Sequence, residues 1–163
     1  MTPQECIQEL YAAFAQLDSG RMAACYADDA SFVDEAFDLK GKTEIMGMWG
    51  MLCDAVKSKG QDVWKLEFSR IEASGKSGRA HWEPTYRFTA TGRMVHNVID
   101  AEFTFDDKGQ ILTHRDRFDF WRWSRQALGA LGWLLGWSPL LRRKVRDQAN
   151  AGLRKYLRAK AQA

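Results

Sequence analysis

His114 and Asp116 stand two residues apart in the run Ile111-Leu112-Thr113-His114-Arg115-Asp116-Arg117. Strand side chains alternate between faces, so this spacing projects an imidazole and a carboxyl from one face, with Cα atoms roughly 6.6 Å apart. Leu112, Phe118 and Phe120 share their phase, which makes that face apolar. Polar groups there require partners or a ligand, because burying them unbonded costs free energy. A histidine and an aspartate so placed can share a water or a substrate and transfer a proton, or else form a buried polar pair satisfied by helix-three or loop groups. Asp34, following Ser31-Phe32-Val33, is a second carboxyl suited to general base work, or else a turn former bonded to its own backbone.

Two earlier runs must build the sheet that holds this pair. His81 to Phe88 and Val95 to Phe105 are joined at Thr91-Gly92. Folding them about that turn sets Trp82 against Ala101, Pro84 against Ile99, Tyr86 against Asn97 and Phe88 against Val95, all on the apolar face. The other face carries His81, Glu83, Thr85, Arg87, His96, Asp100 and Glu102, which suits solvent or a polar interface. The third run follows across the loop Asp107-Lys108-Gly109-Gln110.

Upstream, Thr2-Pro3-Gln4-Glu5 is a helix start with a capping box, and Ile7, Leu10, Tyr11, Phe14 and Leu17 follow at helical spacing. A short second helix is expected over Met22 to Tyr26, then short strands over Ser31 to Asp34 and Phe37 to Lys40. A third helix after Gly41 puts Ile45, Trp49, Leu52, Cys53 and Val56 on one stripe, with Gly47 and Gly50 permitting close backbone approach. Val63 to Ile71 reads as a strand. The order predicts an α+β fold: a cone-shaped, curved antiparallel sheet packed on three N-terminal helices, with a C-terminal helical extension. The cone would span residues 1–121 and the extension residues 122–163. A curved sheet capped by helices leaves a cavity at its open end. Trp49, Cys53, Trp82, Tyr86, Asn97 and Phe118 are expected to line it, although Trp49, Trp64, Trp82 and Met48 can equally be read as core side chains that plug it. Tyr86 OH and the Asn97 amide could orient a carbonyl or hydroxyl there.

Composition narrows the class. Apolar residues make up 45% of the 163, enough for one domain with a real core. Cys6, Cys25 and Cys53 show no paired spacing and are expected to be free buried thiols in a reducing compartment. No basic-then-apolar leader is visible at Met1-Thr2-Pro3, and the apolar run Ala127 to Trp137 is too short to span a bilayer, so a cytoplasmic location is expected. The histidines lack ligand spacing, and no phosphate loop, nucleophile elbow or Cys–His signature is present. Neither a metal nor a cofactor is expected.

Three stretches resemble the nuclear transport factor 2-like superfamily, in its SnoaL-like branch. They are Cys25-Tyr26-Ala27-Asp28-Asp29-Ala30-Ser31-Phe32-Val33-Asp34; Gly41-Lys42-Thr43-Glu44-Ile45; and Ile99 through Phe103, Phe105, Gly109, Ile111 and His114 to Phe118-Asp119. The resemblance covers about residues 3–121 and implies the same cone. It implies no single activity, since the superfamily holds polyketide cyclases, ketosteroid isomerases, dehydratases, epoxide hydrolases and non-catalytic modules. The isomerase base falls on Asp34. Its tyrosine falls near Leu10, one position before Tyr11. Its neutral aspartate corresponds to Asp100, which points outward unless a bulge near Ala101 turns it in. The acid/base aspartate of SnoaL-type cyclases falls on Asp116. On this resemblance the catalytic candidates are Asp34, His114 and Asp116, acting on a small hydrophobic molecule, with a homodimer formed through the outer sheet face.

The extension has its own pattern. Residues 138–163 carry eight basic side chains against one acidic, a balance of +7 in a chain whose total is +3. The remaining basic residues are not clustered into a nucleic-acid footprint. Ser138-Pro139 starts a basic amphipathic helix whose stripe would be Val145, Ala149, Leu153, Tyr156 and Leu157. The whole extension, including the apolar stretch with Leu128, Leu131, Trp133, Leu134, Leu135 and Trp137, is read as a lid over the cavity or a dimer-swapped cover. That reading is preferred to attachment to anionic lipid through paired Trp/Leu and Arg/Lys faces, because a charge run is usually a solvated face.

Overall fold

A computed structural model describes all 163 residues. Helix α1 (Pro3–Ala15) opens on the expected box, with Thr2 Oγ1 accepting from Glu5 N and the Glu5 carboxylate accepting from Thr2 N. It is followed by α2 (Ser19–Ala23), β1 (Tyr26–Val33), β2 (Asp38–Lys40), α3 (Lys42–Ser58), β3 (Lys65–Ser74), β4 (Ser77–Arg87), β5 (Met94–His96), β6 (Ile99–Phe105) and β7 (Ile111–Arg117). Three more helices close the chain: α4 (Phe120–Leu128), α5 (Ala130–Leu135) and α6 (Pro139–Ala161). The fold is mixed α+β, a curved seven-stranded sheet ordered β2-β1-β7-β6-β4-β3, with β5 beside β4.

Three details correct the expected sheet. First, β1 runs parallel to β7, so the sheet is not wholly antiparallel. Second, the hairpin register is displaced by two residues: Trp82 pairs with Ile99, Ala80 with Ala101 and Tyr86 with Val95. The turn is a four-residue loop, closed where Phe88 N donates to Arg93 O at 2.8 Å and Gly92 N to Phe88 O at 2.7 Å. A slip of two leaves every side chain on its original face, so apolar residues still meet apolar residues. Third, the long strand is split. Pro84 has no N–H to offer, and the ladder opens opposite it at Asn97-Val98, leaving β5 and β6 as separate strands.

One core cluster joins α1, α3, α6 and the concave sheet face, from Cys6 and Ile7 through Phe32 and Trp49 to Ile111 and Leu153. A smaller cluster of Val95, Phe120, Trp123 and Ala127 holds α4 against β5. Helix α6 lies along α3. Gly47 and Gly50 make that contact, since a Cβ at Gly47 would collide with Leu157 and one at Gly50 would crowd Tyr156 OH. Polar ties secure it: Tyr156 OH donates to Asp54 Oδ2 at 2.6 Å, Asn150 Nδ2 to Ala36 O at 3.0 Å, and Arg142 pairs with Glu35 at 3.1 Å. The helix therefore covers the β1–β2 turn as well as α3.

Candidate functional site

The phase of β7 puts His114 and Asp116 inside and Thr113, Arg115 and Arg117 outside. A bulge in the β6–β7 ladder sets Ile111, not the expected Leu112, opposite Phe105 and in the core. His114 then faces Phe103 across one ladder and Phe32 across the other, and Asp116 faces Ala101. The pair is 1% and 5% exposed.

Their hydrogen bonds form a chain through the interior. Trp49 Nε1 donates to Tyr26 OH at 3.0 Å, and Tyr26 OH lies 2.8 Å from His114 Nδ1. His114 Nε2 lies 3.0 Å from Asp116 Oδ1, which also accepts from Trp82 Nε1 at 3.2 Å. Indole N–H groups only donate, so Tyr26 accepts from Trp49 and has its own proton left for Nδ1. Nδ1 is then the acceptor and Nε2–H the donor to Asp116, with every member satisfied. The imidazole is packed by rings: Phe103 at 4.4 Å, Phe32 edge-on at 4.9 Å, Trp49 and Tyr26 each at 6.2 Å. Burial pushes the Tyr26 phenol well above its ordinary range, so it holds its proton at neutral pH.

Asp34 sits just beyond β1 and is half-buried. Its Oδ1 accepts from Ala36 N and Phe37 N, both at 2.7 Å, so it does form the turn. It also has chemistry in reserve. Burial, reinforced by the charge of Asp116, raises its carboxyl to about 7 against the pull of the two turn amides. Tyr86, similarly, is pushed up to about 12 by burial, with the charge of Asp34 adding to the effect.

Two residues of this centre are invisible to the spacing arguments. Tyr26 appears there only as an aromatic before Ala27-Asp28-Asp29-Ala30, yet it supplies the partner of His114. Tyr11 lies on the apolar stripe of α1, stacked on Phe68 and tilted against Trp82. Its hydroxyl is buried without a hydrogen-bond partner, and the charge of Asp116 contributes, after burial, to raising it. The polar tip on an otherwise apolar stripe was one signal, and the isomerase tyrosine falling one position before it, near Leu10, was another.

The expected lining residues divide. Trp49, Trp82 and Met48 are core residues, with Phe14 edge-on to both tryptophans. Cys53 is a buried free thiol, raised to about 11 by burial. The register slip removes the expected Tyr86–Asn97 pairing. Tyr86 OH instead accepts from Trp123 Nε1 at 2.9 Å, and Asn97 Oδ1 accepts from Val98 N. Phe118 is half-buried between the two apolar clusters. Asp100 points outward with no bulge at Ala101, and lies 2.8 Å from His81 Nδ1. Trp49 and Trp82 thus pack directly against His114 and Asp116. Two clefts of about 370 and 360 Å³ lie elsewhere, one beside α4 and one on the outer sheet face, and neither includes Asp34, His114 or Asp116. No three His, Cys, Asp or Glu side chains converge to hold a metal ion.

The fold has many solved counterparts. An LEH-like epoxide hydrolase of Mycobacterium tuberculosis superposes with a TM-score of 0.61 at 19% identity, covering 81% of this chain and 93% of its own. A protein described as a candidate polyketide cyclase from Pseudomonas putida gives 0.61 at 19% identity, covering 77% and 98%. A hypothetical protein from Catenulispora acidiphila with a ketosteroid isomerase-like fold, solved with trimethylamine, gives 0.63 at 13% identity, covering 82% and 98%. Identities this low establish shared architecture and nothing about activity. No curated protein matches the sequence. Residues 7–114 match the SnoaL-like domain, a stretch that runs from α1 to the catalytic candidate on β7, and the chain belongs to that family.

Proposed function

We propose that the interior around Asp34, Asp116 and Tyr11 takes a small hydrophobic molecule and performs cofactor-free acid–base chemistry on it, of the isomerase, cyclase or hydrolase type. The observation that carries this reading is Asp34: a half-buried carboxyl brought to about 7 is close to half-ionised at neutral pH, where a general base is most effective. Asp116 contributes the neighbouring charge, and His114 and Trp82 fix its orientation through Oδ1. Tyr11 brings a hydroxyl with no protein partner, free to donate to an oxygen that gains charge. Two structural neighbours are described as an LEH-like epoxide hydrolase and as an epoxide hydrolase/cyclase-like enzyme, names that fall within the hydrolase and cyclase types proposed. A homodimer through the outer sheet face and a cytoplasmic setting for the three free thiols complete the proposal.

A second reading, a non-catalytic module, is favoured by the packing of Trp49, Trp82 and Met48 where a ligand would sit. Turnover separates the two. The protein is assayed against a hydrophobic epoxide and a β,γ-unsaturated ketone, then Asp34→Asn, Asp116→Asn and Tyr11→Phe are compared. A catalytic centre loses about 100-fold or more in each carboxyl variant with the fold intact. Absence of turnover with both probes, or rates indifferent to both carboxyl changes, supports the non-catalytic module.

A further inference from the structure

Helix α5 is packed the wrong way round for a water-soluble surface. Gly132 and Gly136 face α4, where a Cβ on either would collide with Ser124. With its small residues inward, the segment turns its large apolar side chains outward: Leu134, Trp137 and Leu140 are 71%, 72% and 72% exposed, with Leu131, Trp133 and Leu135 beside them. Single exposed apolar residues are ordinary, but a contiguous group marks an interaction surface.

The charges around this knuckle are of one sign. Between Phe120 and Arg146 there are six basic residues and no acidic one. Only Arg142 among them has a carboxylate partner, Glu35. The Arg125 guanidinium lies 4.3 Å over Trp121 and 4.7 Å over Trp133, and its Nε is buried without an acceptor. Arg93, Arg122 and Arg125 line a cleft of about 370 Å³ whose wall is completed by Met94, Gln126 and Trp133. Cations set beside exposed tryptophan and leucine match a bilayer surface, where apolar tips enter the acyl boundary and arginines meet phosphate. No helix is long and apolar enough to cross a membrane, so the contact lies in the interface plane.

We propose that α5 and its flanks dock the protein onto an anionic lipid bilayer. A second copy of the chain is the poorer occupant, because a two-fold contact would set Arg122, Arg125, Arg143 and Lys144 against their own counterparts. The proposal is independent of the acid–base reading of the interior.

The full chain is sedimented with vesicles of phosphatidylcholine alone and of phosphatidylcholine with phosphatidylglycerol. Binding is expected to the anionic vesicles, weakening as salt rises. The triple variant Leu134→Gln, Trp137→Gln, Leu140→Gln loses about 100-fold or more in partition. Arg143→Gln with Lys144→Gln loses about 30-fold, as two basic contacts at the surface would give. Because these side chains are exposed, far-ultraviolet circular dichroism and melting should match the parent. Failure of the parent to bind anionic vesicles at low salt overturns the proposal, as does a triple variant that binds unchanged. Light scattering supplies the third outcome: a dimer dissolved by the triple substitution, without vesicle binding in the parent, would make the patch a contact between copies.

Discussion

The molecule holds two histidine–aspartate pairs of nearly equal length and opposite surroundings. Inside the cone His114 and Asp116 meet at 3.0 Å, and on the outer sheet face His81 and Asp100 meet at 2.8 Å. The inner pair is shut among aromatic rings, with both nitrogens of the imidazole spoken for. The outer pair sits at the water boundary, where His81 also touches Glu83, and Glu83 reaches on to His96. Distance alone would rank them together. Desolvation separates them: a buried group stripped of its partner has no water to turn to, whereas an exposed one does.

That contrast can be broken most severely at Asp116. Asp116→Ala leaves His114 Nε2 and Trp82 Nε1 buried without an acceptor, and unfolding in denaturant at pH 7 should show a loss of about 3–5 kcal/mol. A loss below about 1 kcal/mol would mean that water reaches the pair. Next comes Tyr26→Phe, which strands Trp49 Nε1 and His114 Nδ1 together and should cost about 2–3 kcal/mol. Tyr11→Phe is its control, because that hydroxyl has no partner to lose; the change should be neutral or slightly stabilising in the same titration.

Asp34 sharpens the comparison through pH. Its folded value of about 7 lies above the ordinary 3.8, so the folded state holds the proton more tightly than the unfolded chain. The resulting contribution is fully present below about pH 4 and is lost as pH rises through 7. Asp34→Asn keeps the turn acceptor, so relative to the parent it should gain stability between those limits. The gain should reach the order of 2 kcal/mol after discounting for partial exposure, read from unfolding at pH 4, 6 and 8. A constant difference across that range would place the carboxyl in open solvent.

The smallest effect belongs to the outer pair. Hydrogen bonds to Asp100 first and Glu83 second raise the His81 pKa above 6.5. Its stabilisation is therefore present below pH 6.5 and disappears as pH climbs through the raised value. His81→Ala should cost under about 1 kcal/mol at pH 6 and less at pH 9, by thermal melting. A cost equal to that of Asp116→Ala would show the outer face to be covered, as a dimer interface would require.

The extension repeats the lesson with apolar groups. Helix α6 buries Leu153 and packs Ala149 and Leu157 on the core, so the expected stripe is accounted for. Residues 131–140 carry equally large side chains and leave them in water. Hydropathy ranks the two segments the wrong way round, since residues 131–137 carry no charge and α6 carries eight basic side chains, yet α6 is the one that reaches the core. The distinction follows from two glycines that let backbone approach backbone, and the approach is visible only once α4 and α5 are in contact.

Much of the site was legible in one dimension. Period-two alternation placed His114 and Asp116 indoors, and the slip of two residues in the preceding hairpin conserves that face. The capping box at Thr2, the serine cap at Ser138 and the stripe on α6 are likewise local, set by bonds within one turn of the helix. What tertiary structure alone decided is which groups meet across long separations. The parallel seat of β1 beside β7 brings Tyr26 to His114 across 88 residues, α1 delivers Tyr11 toward Asp116, and the burial of Asp34 raises a turn carboxyl into the neutral range. These depend on shape complementarity and dielectric surroundings, neither of which a spacing rule contains.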